Sequence, residues 1–208
     1  MALKIQIPTA DYAGYIFDLD GTLVDTMPLH YQAWDQAMRA VGLQEPLSED
    51  LFYSLGGVPT RRVAELIGKH YGLHLDPEAV FHHKEAIFLD HMPKVGLIAP
   101  VADFARKMAG VKPVAIASGG DRKVVTSTLA HANLTSLFAV VVTADDVIHG
   151  KPSPDMFLLA AKRMGVEPTR CLVFEDAEPG IQAARAAGMD VVRVPSRPER
   201  NSSGAVVA

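Results

Sequence analysis

Two aspartates spaced two residues apart, Asp18 and Asp20, follow directly on the apolar run 15–17 and are the first residues of this 208-residue chain placed to do chemistry. Side chains two apart on an extended segment point the same way, so both carboxylates face one site while Leu19 turns from it. Gly21 then lets the chain turn. Two like charges buried side by side need a shared cation or proton, and hard carboxylate oxygens suit an ion such as Mg²⁺. A carboxylate can itself attack phosphorus while its neighbour moves a proton. The chemistry this predicts is transient phosphorylation of an aspartate. Paired acids after a strand also serve as plain turn formers, so the pair takes its meaning from what accompanies it.

Three further loci accompany it. The segment Ala117-Ser118-Gly119-Gly120 offers a hydroxyl and open backbone N–H groups ahead of a helix near Asp121, which suits an oxyanion as well as a helix cap. Lys151 lies in Gly150-Lys151-Pro152-Ser153-Pro154-Asp155, a proline-bracketed turn that would hold one positive charge in place. Glu175 and Asp176 close the apolar run 172–174. Each alone has an ordinary structural role. Together they supply acids, a hydroxyl and a lysine at successive strand ends.

Those strand ends follow from the pattern of the chain. Short β-branched runs at 15–17, 114–117, 140–143, 172–174 and 191–194 predict buried strands. From residue 100 onward they alternate with helical patterns at 101–108, 123–131, 154–164 and 180–187, which predicts right-handed β-α-β units. The expected fold class is α/β, a doubly wound parallel sheet with a Rossmann-like core. Ligands of such sheets bind beyond the carboxyl ends of the strands. Between residues 26 and 93 the strand pattern stops, and helices are expected at 28–40, 48–55, 59–71 and 77–92. This predicts a discontinuous core, 1–25 and 94–208, with a helical-bundle cap at 26–93 and hinges near 25–27 and 93–98. The tail 196–208 is polar and is expected to be poorly ordered.

Composition narrows the partners. At 49% hydrophobic and a net charge of −4, the chain can bury a sizeable core, and its 20 basic residues form no stripe suited to nucleic acid. Lys4 and Gln6 break the short apolar run at the N-terminus, so neither a secretion signal nor a membrane span is expected. The single cysteine, Cys171, opens an apolar run and reads as a packed core residue rather than a nucleophile. A cytoplasmic monomer or weak homodimer with a small-molecule substrate is the expectation.

The chain resembles the haloacid dehalogenase-like hydrolase superfamily. The match runs in order through Asp18-x-Asp20-Gly21-Thr22, Ser118, Lys151 with Pro152-x-Pro154-Asp155, and Glu175-Asp176, and it spans about residues 12–194. The inserted helices are similar to the cap of the subfamily that holds β-phosphoglucomutase and many sugar-phosphate phosphatases, and the stretch 173–189 looks like the bacterial fructose-1-phosphatase type. The resemblance implies that Asp18 is the nucleophile and Asp20 the acid and base. It implies that Asp18, Asp176, Glu175 and the Asp20 carbonyl hold Mg²⁺, and that Ser118, Gly119 and Lys151 hold the phosphoryl oxygens. Asp20 speaks against dehalogenation, which needs no proton for its leaving group. Thr26 and His30, at the cap entrance and on one helical face, are substrate-site candidates, as are Lys84, Arg61 and Arg62.

The implied activity is hydrolysis of a small sugar phosphate through an aspartyl phosphate. The alternative is a β-phosphoglucomutase, which needs a second anion site. Gly120-Asp121-Arg122 stands where that enzyme has Ser-Lys-Asn, and the cap pair Gly57-Val58 lacks a directly following arginine. A receiver-type signalling domain shares the acids, hydroxyl and lysine, but a long-lived phosphoaspartate is at odds with Asp20 and with a lid. A non-catalytic sugar-phosphate sensor would have no use for every catalytic position.

Overall fold

The computed structural model describes residues 5–92 and 95–202. The β-branched runs form five strands, β1 (Gly14–Phe17), β2 (Val114–Ala117), β3 (Val140–Val142), β4 (Cys171–Glu175) and β5 (Asp190–Arg193), all parallel in the order β3-β2-β1-β4-β5. The chain builds outward from β1 on one side, then returns to build outward on the other. That reversal leaves the ends of β1 and β4 side by side, where a doubly wound sheet opens a crevice.

Alternation along the strands divides the core into two layers. Tyr15, Phe17, Ile116, Leu172 and Phe174 face α5 (Ala99–Ala109) and α6 (Arg122–His131), with the Phe17 and Phe174 rings stacked at 4.8 Å. Ile16, Ala115, Ala117 and Val173 face α7 (Asp155–Met164) and α8 (Glu178–Ala186). Cys171 packs in this second layer, and burial pushes its thiol up to about 11, so it is protonated and inert at neutral pH.

Between β1 and β2 lie α1 (Met27–Ala40), α2 (Glu49–Ser54), α3 (Thr60–Tyr71) and α4 (Pro77–His91). Their apolar faces bury one another around Trp34, Met38, Phe52, Val63 and Ile67. Asp76 starts α4 by accepting the Glu78 N–H at 2.9 Å, with Pro77 at the first turn where no N–H is missed. The strands entering and leaving this segment run antiparallel: Asp25 N–H donates to Gly96 O at 2.8 Å and Ile98 N–H to Leu23 O at 2.9 Å. Of the second expected hinge, Pro93 and Lys94 lie outside the described residues.

The tail departs from expectation. Arg197–Ser202 forms a helix, α9, at whose start Glu199 accepts both the Ser196 N–H and its hydroxyl, at 2.7 and 2.8 Å. Arg197 and Arg200 then both bind Asp25, the latter at 2.7 Å, which ties the helix to the chain just after the Asp18-Asp20 turn. The remainder of the expected tail, 203–208, lies outside the described residues. Among the described residues no helix is long and apolar enough to cross a membrane.

Candidate active site

Pairing of β1 with β4 builds the floor of the site. The Asp18 N–H donates to Phe174 O at 3.0 Å, which sets Asp18 beside Glu175 and Asp176. All three carboxylates are buried, with ligand oxygens within 4.8 Å of one another. Such crowding needs backbone that yields space. Gly21, at φ +86°, leaves open a place where a Cβ would fall 2.3 Å from Asp176 Oδ2, and at Gly180 a Cβ would fall 2.1 Å from Glu175 Oε2.

Lys151 enters from the loop between β3 and α7 and donates to Asp18 Oδ1 and Glu175 Oε2, each at 2.7 Å. One ammonium does not balance three buried carboxylates. Burial and the Glu175 charge push Asp18 up to about 7 against the pull of Lys151. Burial, with Glu175 and Asp18, likewise raises Asp176 well above the usual carboxylate range, although Lys151 and the Thr22 hydroxyl at 3.2 Å pull the other way. Burial alone would lower Lys151, but Asp18 and Glu175 outweigh it and keep the ammonium charged. An oxygen-only donor set with surplus negative charge fits a hard divalent cation. Among the described residues this is the one such group of three.

Asp20 is not one of these three and has its own set of contacts. Thr26 stands at the N-cap position of α1 but does not cap it; its hydroxyl donates instead to Asp20 Oδ1 at 2.6 Å. His30, one turn later, brings Nε2 to 3.2 Å from the same oxygen. Lys84 of α4 donates to His30 Nδ1 at 2.9 Å, which leaves Nε2 as the ring's donor to Asp20. Glu85 backs Lys84 at 3.1 Å, and the His30 ring stacks on Phe88 at 3.9 Å.

The electrostatics follow this chain of contacts. Burial and the Lys84 charge lower His30, against Asp20, so the imidazole is neutral near pH 7. Burial tends to raise Asp20, but His30, Thr26 and the charge of Lys84 outweigh it and hold the carboxyl below its ordinary value. Burial lowers Lys84, opposed by Glu85 and Asp20. Two aspartates two residues apart thus have opposite environments, one favouring the proton and one the anion. Attack by Asp18 requires its anion, which a divalent cation in place of the proton would favour, and proton donation by Asp20 requires that it first take up a proton.

A cavity of about 260 Å³ lies over both. Its core side carries Asp18, Asp20, Ser118, Gly119, Glu175 and Asp176, and its far side is α1–α4. The Ser118 hydroxyl accepts the Gly120 N–H at 3.1 Å and stands 3.5 Å from Asp20 Oδ2. Acids, a hydroxyl and the glycine backbone at 119–120 lining one cavity make a place for a phosphoryl group.

The chain matches the haloacid dehalogenase-like hydrolase family over residues 12–188. It belongs to that family. The fructose-1-phosphate phosphatase YqaB of Escherichia coli is 44% identical over 187 residues, covering 88% of this chain and 96% of that protein. A phosphorylated carbohydrates phosphatase of Thermotoga maritima is 31% identical, covering 84% and 81%. The crystal structure of β-phosphoglucomutase from Clostridium difficile superimposes with a TM-score of 0.79 over 95% of this chain and 91% of that one; at 22% identity this likeness concerns the fold alone. As a haloacid dehalogenase-like hydrolase with phosphatase relatives, the chain is a phosphoric monoester hydrolase.

Within this hydrolase the structure brings together Asp18, Asp20, Ser118, Gly119, Glu175, Asp176, Thr26, His30 and Lys84. Two expectations shift. Lys151 is buried under the cavity rather than lining it, held by its two carboxylates. The Asp20 side chain, expected to give the metal only its backbone carbonyl, is bound by Thr26 and His30. Arg61 and Arg62 are not brought to the cavity: Arg61 donates to Glu78 at 2.6 and 3.0 Å and lies 3.9 Å over the Phe81 ring, and Arg62 pairs with Glu65 on its own helix. The apolar residues of α3, Val63 and Ile67, take the inward face, which turns the arginines outward. Sequence reasoning missed Thr22, Glu85 and Phe88, and did not single out Trp34, which lines the cavity. Only Thr22, inside the first motif, carried a signal that could have found it.

Proposed function

We propose that this hydrolase is a Mg²⁺-dependent phosphatase of a small sugar monophosphate, fructose 1-phosphate being the first candidate, acting through an aspartyl phosphate in a cytoplasmic setting. The observation that carries the proposal is the placement of both aspartates at one cavity, Asp18 beside two further buried carboxylates and Lys151, and Asp20 in contact with Thr26 and His30. Asp18 attacks phosphorus as the ester oxygen leaves; Asp20 gives that oxygen a proton and then takes one from the attacking water. Thr26 and His30 orient Asp20, while Ser118, the Gly119 amide and Lys151 bind phosphoryl oxygens. Asp18, Glu175 and Asp176 would hold the Mg²⁺, directly or through water, with the Asp20 carbonyl, and the ion would supply neutralisation of the phosphoryl charge. Residues 1–25 and 94–208 act as the catalytic core and 26–93 as a cap that excludes water; the similarity to YqaB supports the choice of sugar.

No observation favours the mutase. Where it would need a second anion site, Asp121 caps α6 and Arg122 is bound to Asp146. Phosphate release with Mg²⁺ from fructose 1-phosphate, glucose 6-phosphate and β-glucose 1-phosphate tests the assignment. Net release is expected, and isomerisation of β-glucose 1-phosphate without release would overturn it.

The metal proposal has a thermal signature. Because Asp18 is raised from 3.8 to about 7, the native state keeps a proton that the unfolded chain has lost across this interval. Stability of the chelator-treated protein therefore falls as pH rises from about 4 to about 7. A cation replaces that proton, so Mg²⁺ is expected to raise Tm more at pH 8 than at pH 5.5. A shift that is equal at the two pH values, or absent at both, would sink this assignment.

A further inference from the structure

We infer that the cavity selects phosphate monoesters with an uncharged leaving group and turns away esters that carry a second phosphate or a carboxylate. This rests on the role proposed for Asp18, which directs the leaving group toward α1–α4. The wall met there is formed by Trp34, Phe52, Tyr53, Leu55, Val58 and Val63. Trp34, Tyr53 and Thr60 lie on this side of the cavity, and aromatic rings and hydroxyls suit the C–H and O–H surface of a polyol. Those six side chains carry no positive charge to pair with a second anion.

The nearby cations are committed. Among the described residues lining the cavity, Lys84 and Arg193 are the basic ones besides His30. Lys84 spends its ammonium on His30 and on Glu85, whose other oxygen, Oε2, is buried without a hydrogen-bond partner, so this corner carries no surplus positive charge. Arg193, at the rim on the core side, pairs with Glu199 at 2.8 Å, with its side chain half-exposed to screening solvent. Arg61 and Arg62 are held outside by Glu78 and Glu65. Glu178 at the rim adds a further negative charge. Discrimination therefore comes from a cost imposed on the charged competitor as much as from attraction to the neutral one.

Two matched pairs test this by kcat/KM: fructose 1-phosphate against fructose 1,6-bisphosphate, and glycerol 3-phosphate against 3-phosphoglycerate, with p-nitrophenyl phosphate as a general reporter. The neutral member is expected to be favoured by about 10- to 100-fold in each pair. Val58→Arg, which adds a cation to the wall without touching the catalytic groups, is expected to narrow that ratio by about 10-fold. Ratios near one in the wild type, or a ratio unmoved by Val58→Arg, overturn the inference. Silence with every ester, p-nitrophenyl phosphate included, instead overturns the hydrolytic role of Asp18. Selection is then read from calorimetric Kd values for the same pairs, where equal affinities overturn it too.

Discussion

Asp18→Asn is expected to lower phosphate release by at least about 10⁴-fold while leaving the chain folded, because it removes the attacking oxygen and little else. The amide matches the carboxylate in shape and keeps an oxygen that can accept from Lys151, now 2.7 Å from Asp18 Oδ1. It also removes one of three crowded anions, so the Tm of the chelator-treated variant is expected to equal or exceed that of the wild type at pH 8. Acid quenching of a reaction with radiolabelled substrate separates this from a general loss of activity. Label should be found on the wild-type protein and be absent from Asp18→Asn. Label that persists in the variant would place the nucleophile elsewhere.

Lys151→Met should damage both activity and stability. The ammonium is buried and holds Asp18 and Glu175 together, so removing it leaves three carboxylates without an internal counter-charge. Breaking a buried pair of this kind costs about 3 kcal/mol, roughly 6–12 °C in Tm for a chain of this size. The sign of the pH dependence is set by Asp18, whose raised value of about 7 means that its proton already relieves repulsion in mildly acid solution. The deficit should therefore be larger at pH 8 than at pH 5.5, and Mg²⁺ should recover part of it. Urea denaturation at both pH values reads this directly. An unchanged midpoint would show that Lys151 is not the internal counter-ion.

Much of the fold was legible because central parallel strands, buried on both faces, must be short apolar runs, as at 15–17, 114–117 and 172–174; the edge strands β3 and β5, also expected to be buried, are partly exposed because each has a neighbour on one side alone. Helix ends came out within a residue or two, as at α2, Glu49–Ser54 against the expected 48–55. The tail was misjudged for a different reason. Ser196 to Ser202 is polar throughout, and its order derives from Arg197 and Arg200 meeting Asp25, far away in sequence. Composition registers polarity and carries no trace of a remote partner. Arg61 and Arg62 show the same limit, since charge made them candidates while the rotation of α3 decided which way they point.

The sequence by itself determined the chemistry of this protein. Asp18 and Asp20 follow a strand, Ser118, Lys151 and Glu175-Asp176 follow others or their loops, and a doubly wound sheet gathers such ends at one edge whatever the details of its packing. Only the tertiary structure decided how the two aspartates differ. Asp18 is raised by burial and by the Glu175 charge across the β1–β4 seam, and Asp20 is held down by a line of contacts through His30 to Lys84 on α4. Proton affinity depends on burial and on charges within a few ångströms, and those are set by which helices and strands come to rest against each other.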